Sequence, residues 1–161
     1  MTYKFTVPGP AVPQGRPRLT TIGGHPRAYD PPRSRKYKAK VRAYAQRAGR
    51  MEPITGPVKL TLEEYRPIPK SWSKNKREAA RTQRLLPTTR PDMDNVEKAI
   101  MDALNGLAWN DDAQVVLKVS MKVYSDDPRV AVEVDEIYPC GISQAVSDRQ
   151  NSKAVEEQDS I

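Results

Sequence analysis

The chain has 161 residues, a formal net charge of +7, one cysteine and one histidine. This length suits a single domain with its own core, and the lone Cys140 and His25 exclude an internal disulfide and a zinc cluster. No apolar run is long enough to cross a bilayer, and Met1–Phe5 lacks the basic-then-apolar order of a signal peptide. We therefore expect a cytoplasmic protein without a membrane span.

Positive and negative charges are divided unevenly along the chain. Residues 1–90 hold 21 Lys and Arg against 5 Asp and Glu, a balance of +16, whereas residues 91–161 hold 6 against 15, a balance of −9. This division favours a polyanion bound by the first half and a metal ion bound by carboxylates of the second. For any single Lys or Arg, a solvated helix face is the simpler interpretation.

The first third of the chain predicts a strand, a long loop and a basic helix. Residues 3–7 alternate apolar and polar side chains, which indicates a half-buried strand. Residues 9–33 are rich in Gly, Pro and Arg and predict a long loop that carries guanidinium groups. Ser34 is placed to cap a helix that ends near Gly49. The apolar positions of this helix are Tyr37, Val41, Tyr44, Ala45 and Ala48.

The middle and the end of the chain predict two helices and three strands. Residues 58–62 alternate as a second strand, and residues 71–84 favour a short basic helix capped by Ser71 or Ser73. Residues 94–105 predict an amphipathic helix. Its apolar stripe continues into the next turn and comprises Val96, Ala99, Ile100, Ala103, Leu104 and Leu107. Two further strands, at 115–123 and 130–134, are predicted to form a β-hairpin.

The predicted order of elements is β, α, β, α, α, β, β, without an internal repeat. This order favours a two-layer α+β domain, with a mixed sheet and helices on one face, over residues 1–139. Residues 140–161 contain few apolar side chains and predict a mobile polar tail.

Acidic residues cluster around the last predicted helix. Asp92 and Asp94 lie where a loop enters this helix, and Asp112 precedes the following strand. If helix and strand pack together, the three carboxylates are expected to meet, and Lys98 could pair with one of them or contact a phosphate. Carboxylate oxygens suit Mg²⁺ or Mn²⁺, which often act in phosphate chemistry. The pattern therefore favours a metal-dependent nuclease.

Each of these residues also has a simpler interpretation. Asp92 or Asp94 alone is typical of a helix N-cap, and Asp111-Asp112 alone is typical of a turn. Lys98 with Asp94 or Asp102 is equally a solvated pair on one helix face. Only the combination of these residues with a basic half favours a functional site.

The same residues form a longer pattern. Residues 91–106 read PDMDNVEKAIMDALNG, and residues 109–115 read WNDDAQV. The pattern D-x-D-N-x-x-K-x-x-x-D-A-L, with D-D-x-Q-V downstream, closely resembles the RusA-type Holliday junction resolvases of bacteria and their phages. The segments FTVPG, GRPR and IPKSWS and the last two strands extend the resemblance over most of residues 3–138.

The resemblance implies a homodimeric, Mg²⁺-dependent endonuclease that cuts two opposed strands of a four-way DNA junction, with Mn²⁺ as a possible substitute. It implies metal ligation by Asp92, Asp94 and Asp112, and an essential role for Lys98. Asp111 stays open as the alternative to Asp112. It also implies a bacterial or phage-infected cell as the setting.

Basic residues are the candidates for contacts with the DNA backbone. They are Arg16, Arg18, Lys74, Lys76, Arg77 and Arg90. A nucleotidyltransferase is the first alternative, but it would need a Gly-rich triphosphate loop, for which residues 9–33 are a poor candidate, so no nucleotide cofactor is expected. The second alternative is a protein that binds junctions without cutting them. The carboxylates argue against it, since near phosphates they weaken binding unless a metal intervenes.

Overall fold

The computed structural model describes residues 1–49 and 52–138 of the chain. The predicted tail, residues 140–161, lies outside the described residues. The described part is an α+β domain with a mixed four-stranded sheet and a separate two-stranded hairpin. Its strands are β1 (Thr2–Pro8), β2 (Arg18–Ile22), β3 (His25–Tyr29), β4 (Val58–Pro67), β5 (Val115–Ser125) and β6 (Arg129–Glu136). Its helices are α1 (Pro32–Arg47), α2 (Lys74–Arg81) and α3 (Met93–Leu104).

The four-stranded sheet has the order β1-β6-β4-β5. β6 is antiparallel to β1 and to β4, whereas β5 is parallel to β4. Alternate residues of β4, such as Leu60 and Leu62, are buried in a core shared with Val41 of α1 and with Val96 and Ile100 of α3. α1 and α3 therefore cover one face of the sheet, as the alternation and the helical spacing predict.

The prediction that the last two strands form a hairpin is wrong. β4 lies between β5 and β6, so these two consecutive strands do not pair. Three residues separate Ser125 from Arg129. They have to span two strand spacings, about 9.6 Å, which a connection of this length can do. Chain length alone therefore does not distinguish a hairpin from a connection that passes over one strand.

The segment predicted as a long loop contains the hairpin of β2 and β3. Its turn is Gly23-Gly24, both with positive φ, which glycine adopts without strain. The expected cap of α1 also differs. The helix begins at Pro32, and Ser34 lies inside its first turn, 3 % exposed, where its Oγ accepts a hydrogen bond from the Gly15 backbone N–H at 3.0 Å. Ser34 thus ties the segment before the hairpin to α1.

Candidate active site

The N-terminus of α3 presents two carboxylates. Asp92 is the N-cap residue, with an extended backbone and no side-chain hydrogen bond to the helix, and Asp94 lies in the first turn. Both residues are exposed. The partial positive charge at a helix N-terminus stabilises carboxylates there. These two side chains are therefore available to an external ligand.

The segment before α3 is held by the carboxyl ends of β4 and β5. Arg66 of β4 donates to the Thr89 carbonyl oxygen at 2.9 Å and also to the Arg90 carbonyl oxygen. Lys122 of β5 donates to the carbonyl oxygens of Thr89 and Pro91 at 3.2 and 3.5 Å. Because side chains of two neighbouring strands bind the backbone of residues 89–91, the sheet determines the position of Asp92.

A groove of about 650 Å³ opens beside this segment. Its walls come from the segment before the hairpin, the end of β4 and the start of α3. Four guanidinium groups line it together with Asp92, Glu64 and Asn95. The four are Arg16, Arg33, Arg66 and Arg90. Guanidinium groups bind phosphate oxygens, frequently in pairs, so the groove suits an anionic chain.

Glu64 is a charged residue of this groove that the sequence analysis did not single out. It is only 2 % exposed, and its Oε1 lies 3.5 Å from Nε of Arg66. Burial raises the pKa of the Glu64 carboxyl, while the positive charges of Arg66 and Lys122 oppose the shift. The alternation of β4 could have indicated that Glu64 is buried, because position 64 falls on the same face as the buried residues 58, 60 and 62.

Lys98 points along the helix towards Asp102. Its Nζ lies 3.7 Å from Oδ1 of Asp102, and its side chain is 64 % exposed. The other oxygen of Asp102 accepts from Lys38 of α1 at 2.6 Å, and Lys38 also bonds Asp30 at 2.7 Å. In the described chain Lys98 thus pairs with Asp102, while its exposure leaves it accessible to a phosphate.

Asp112 lies at the opposite end of α3 from Asp92. It starts a short 3₁₀ turn, Asp112–Gln114, that leads directly into β5. β5 begins beside the C-terminal end of α3, where Trp109 pairs with Asn105. Twelve helical residues separate the two ends, which corresponds to about 18 Å.

The three predicted metal ligands do not meet within one chain. Across residues 1–49 and 52–138, no group of three or more Asp, Glu, His or Cys side chains is arranged to hold a metal ion. The reason is the topology, since α3 runs back along the sheet and leaves Asp92 and Asp94 near the carboxyl ends of β4 and β5 and Asp112 near the amino end of β5. The ligand roles of Asp92, Asp94 and Asp112 stay predictions.

Asp111 and Asp112 have different surroundings. The Asp111 carboxylate accepts from the Ala113 backbone N–H at 2.7 Å and forms a capping box with Gln114. Asp112 accepts from the indole Nε1 of Trp109 at 2.8 Å. Trp109 is fully buried and packs in the core. Asp111 therefore has a structural role in the turn, while Asp112 keeps one oxygen that the indole does not engage.

The predicted DNA-contacting residues fall in three places. Arg16 and Arg90 line the groove, and Arg18 begins the exposed hairpin. Lys74 and Lys76 are exposed on α2, which Ser73 caps through its side chain, and Arg77 is half-buried there. The structure therefore brings two of the six residues to the carboxylates of α3 and distributes the others over the hairpin and α2.

Trp72 packs beside α2. Its ring meets Tyr124 edge-on, with the centroids 5.1 Å apart, and Lys76 Nζ lies 4.1 Å from its centroid. These two contacts occupy part of the surface of the Trp72 ring.

A domain with an arginine-lined groove beside unpartnered carboxylates is typical of proteins that act on phosphodiesters. Comparison with known families specifies the class further. The model of the RusA endodeoxyribonuclease family matches residues 8–135, and the chain belongs to this family of nucleases. It is also similar to the uncharacterized protein YqaN of Bacillus subtilis (strain 168), with 47% identity over 137 residues. The aligned region covers 83% of this chain and 96% of YqaN. No helix of the described residues is long and apolar enough to span a membrane.

Proposed function

We propose that this protein is a Mg²⁺-dependent endodeoxyribonuclease that resolves four-way DNA junctions by paired symmetric nicks. The observation that carries the proposal is the exposed Asp92 carboxylate in a groove lined by four arginines, in a chain of the RusA family. The arginines would contact the phosphates of a DNA strand, and the phosphodiester bond to be cut would lie beside the Asp92 carboxylate. We further propose that the protein acts in the cytoplasm of a bacterial or phage-infected cell, the setting that its resemblance to the resolvases of bacteria and their phages implies.

The donor atoms at this end of α3 suit a hard cation. Asp92 and Asp94 offer carboxylate oxygens, and Asp112 is proposed as a further ligand, which from its position would have to come from a second chain. When bound, Mg²⁺ would withdraw charge from the phosphate and make water more acidic. Lys98 would donate to a phosphate oxygen and stabilise the charge that develops there.

Basic residues outside the groove are proposed to position the junction arms. Arg18 and Arg27 are exposed on the hairpin, and Lys74 and Lys76 are exposed on α2. Contacts of this kind add affinity and orientation and carry little sequence information. They suit a substrate recognised by its branched shape.

An apolar strip on the sheet supports the proposed homodimer. Leu117, Val119 and Met121 of β5 are 43 %, 47 % and 43 % exposed. They lie on the face away from the helices, because their neighbours Lys118 and Ser120 align with buried residues of β4. A contact between two such strips through a two-fold axis would bury them, and a two-fold symmetric junction needs two symmetric cuts.

A second candidate function is junction binding without cleavage. It is favoured by the separation of Asp112 from Asp92 and Asp94, which leaves no cluster of three acidic ligands in the described chain. Labelled four-way junction and linear duplex of the same sequences, incubated with the native chain and Mg²⁺ or EDTA, separate the two candidates. Mg²⁺-dependent cutting of the junction supports the nuclease. Binding without cutting under any divalent ion supports the second candidate.

A further inference from the structure

Two residues that line the groove beside α3 have a buried oxygen atom without a hydrogen-bond partner among the described residues. Oε1 of Gln14 and Oε2 of Glu64 are both buried without a hydrogen-bond partner. Gln14 and Glu64 line the same groove as Asp92, which makes no side-chain capping bond. A buried acceptor without a partner costs about 1–3 kcal/mol, so such atoms usually have a ligand. Three residues with oxygen-bearing side chains, from three different segments, thus line one groove.

The orientation of Gln14 is determined by its other contacts. Its Nε2 donates to Oδ1 of Asp30 at 2.8 Å, and its backbone N–H donates to the Asn95 carbonyl oxygen at 2.8 Å. Exchanging the amide oxygen and nitrogen would place two acceptors against each other, since a carboxylate only accepts. The amide oxygen of Gln14 therefore faces away from Asp30.

Glu64 is fixed on the central part of the sheet, in β4 between β6 and β5. Arg66 approaches only Oε1, at 3.5 Å, and its two terminal nitrogens donate to the carbonyl oxygens of Thr89 and Arg90. The guanidinium thus leaves Oε2 unpaired. A rigid carboxylate with one oxygen free is suited to ligate a cation.

We propose that Glu64 is a further ligand of the divalent cation, together with Asp92 and the amide oxygen of Gln14. This inference rests on the proposed metal dependence of the enzyme. Oxygen-only donors with two negative charges suit Mg²⁺ or Mn²⁺. Because α3 separates Asp112 from this end, Glu64 is the acidic residue that shares the groove with Asp92 in a single chain. The arginines of the groove repel a cation, so binding in the absence of DNA is expected to be weak.

Paramagnetic broadening by Mn²⁺ detects weak binding and locates it. The full chain, labelled with ¹⁵N, is titrated with Mn²⁺ in the absence of DNA. The amide of Asn95, a residue that lines the groove, reports on binding there. We expect the Asn95 signal to broaden first. Glu64→Gln should raise the Mn²⁺ concentration that is needed to broaden the Asn95 signal by at least about tenfold. Loss of a residue that only supports a metal ligand already weakens metal binding by about this factor.

Glu63→Gln is the matched control. Glu63 is the neighbouring residue on the opposite face of β4, where it accepts from Tyr65, and its replacement should leave the Asn95 response unchanged. Unchanged spectra elsewhere show that both variants fold. Equal broadening in Glu64→Gln and the native chain would overturn the inference, as would the absence of any Mn²⁺ effect on the Asn95 signal. Cleavage of junctions by the native chain would still stand in each of these cases, so failure of this inference is distinct from failure of the proposed function.

Discussion

The indole of Trp109 donates a hydrogen bond to the carboxylate of Asp112, with Nε1 and Oδ1 2.8 Å apart. The indole is fully buried, so it fixes the carboxylate at the start of β5. The neighbouring Asp111 instead caps the 3₁₀ turn. Two adjacent acidic residues thus have separate tasks, which the sequence alone could not assign.

Replacement of each aspartate by asparagine tests this assignment. Asp112→Asn should reduce junction cleavage by about a hundredfold or more, because the carboxylate is proposed to hold the metal ion that stabilises the charge developing on the phosphate. Asp111→Asn should leave cleavage nearly unchanged, because asparagine is as good a cap as aspartate. Cleavage rates of both variants, with thermal melts to compare folding, check this. The reverse order of the two effects would assign the catalytic role to Asp111.

Lys38 connects α1 to α3 through its two ion pairs, and its removal should destabilise the fold. Lys38→Met leaves Asp30 and Asp102 without their main partner, and we expect a loss of about 2 kcal/mol in the free energy of unfolding. Urea denaturation measures the change. Lys36→Met, an exposed position on the same helix, is the control and should change the free energy of unfolding by less than about 0.5 kcal/mol.

The contribution of Lys38 should also depend on pH. The hydrogen bond from Lys38 lowers the pKa of Asp30, so the stability from this pair is present above about pH 4 and is lost as the pH falls through the folded pKa. Burial alone would lower the pKa of Lys38, but Asp102 and Asp30 outweigh it and raise the pKa, so the contribution persists up to about pH 10. A native-to-variant difference that stays constant below pH 4 would contradict this account.

The sequence predicted the helices and the central strand well because burial is strongly periodic there. The buried residues of α3 are five of the six positions in the predicted stripe, and Val58, Leu60 and Leu62 are fully buried in β4. The spatial order of the strands was not predictable, because a three-residue connection permits both a hairpin and a passage over β4. The place of Asp112 was missed for the same reason, since it depends on β5 being parallel to β4.

Glu64 shows a different limit of sequence reasoning. A glutamate at the end of an apolar alternation reads as the end of burial, whereas here the alternation continues and buries the carboxylate. Residues of the segment before the hairpin and of the segment before α3 line the groove beside Glu64, and their meeting there depends on the tertiary fold. The hairpin of β2 and β3 was likewise hidden, because its strands are short and contain no apolar alternation.

Glu64→Gln should stabilise the metal-free protein. Burial raises the pKa of the Glu64 carboxyl, which means that its ionised form costs stability at neutral pH. The neutral isostere should increase the free energy of unfolding by about 1 kcal/mol at pH 7. The gain should disappear as the pH falls towards the unfolded value of about 4.3. Chemical denaturation in EDTA at several pH values tests this, with Glu63→Gln as control. A destabilised variant at pH 7 would show that the pair with Arg66 outweighs burial.

Arg16 should contribute to DNA affinity through a phosphate contact. Arg16→Gln is expected to weaken binding to junction and duplex alike and to reduce the slope of log K against log salt by about 0.9. Fluorescence anisotropy at several salt concentrations gives the slope. Lys4→Gln, on the opposite face of the sheet and paired with Glu133, should leave the slope unchanged. Equal slopes for Arg16→Gln and the native chain would remove Arg16 from the interface.

A charge on the apolar strip should break the proposed dimer. Val119→Glu places a carboxylate among Leu117 and Met121 and is expected to yield a monomer that remains folded, because position 119 is exposed in the single chain. Sedimentation velocity measures the mass. Thr6→Glu, on the same face at the other edge of the sheet, is the control and should remain dimeric. A native chain that sediments as a monomer with junction present would contradict the dimer.

The most direct measurement maps the cuts on a four-way junction labelled on each strand in turn, with Mg²⁺, for the native chain and for Asp94→Asn. The account predicts cuts at symmetric positions on two opposed strands, no cuts by Asp94→Asn, and unchanged binding of the junction by this variant. The account would be contradicted if the native chain bound the junction tightly and cut no strand. It would also be contradicted if Asp94→Asn cut the junction at the native rate.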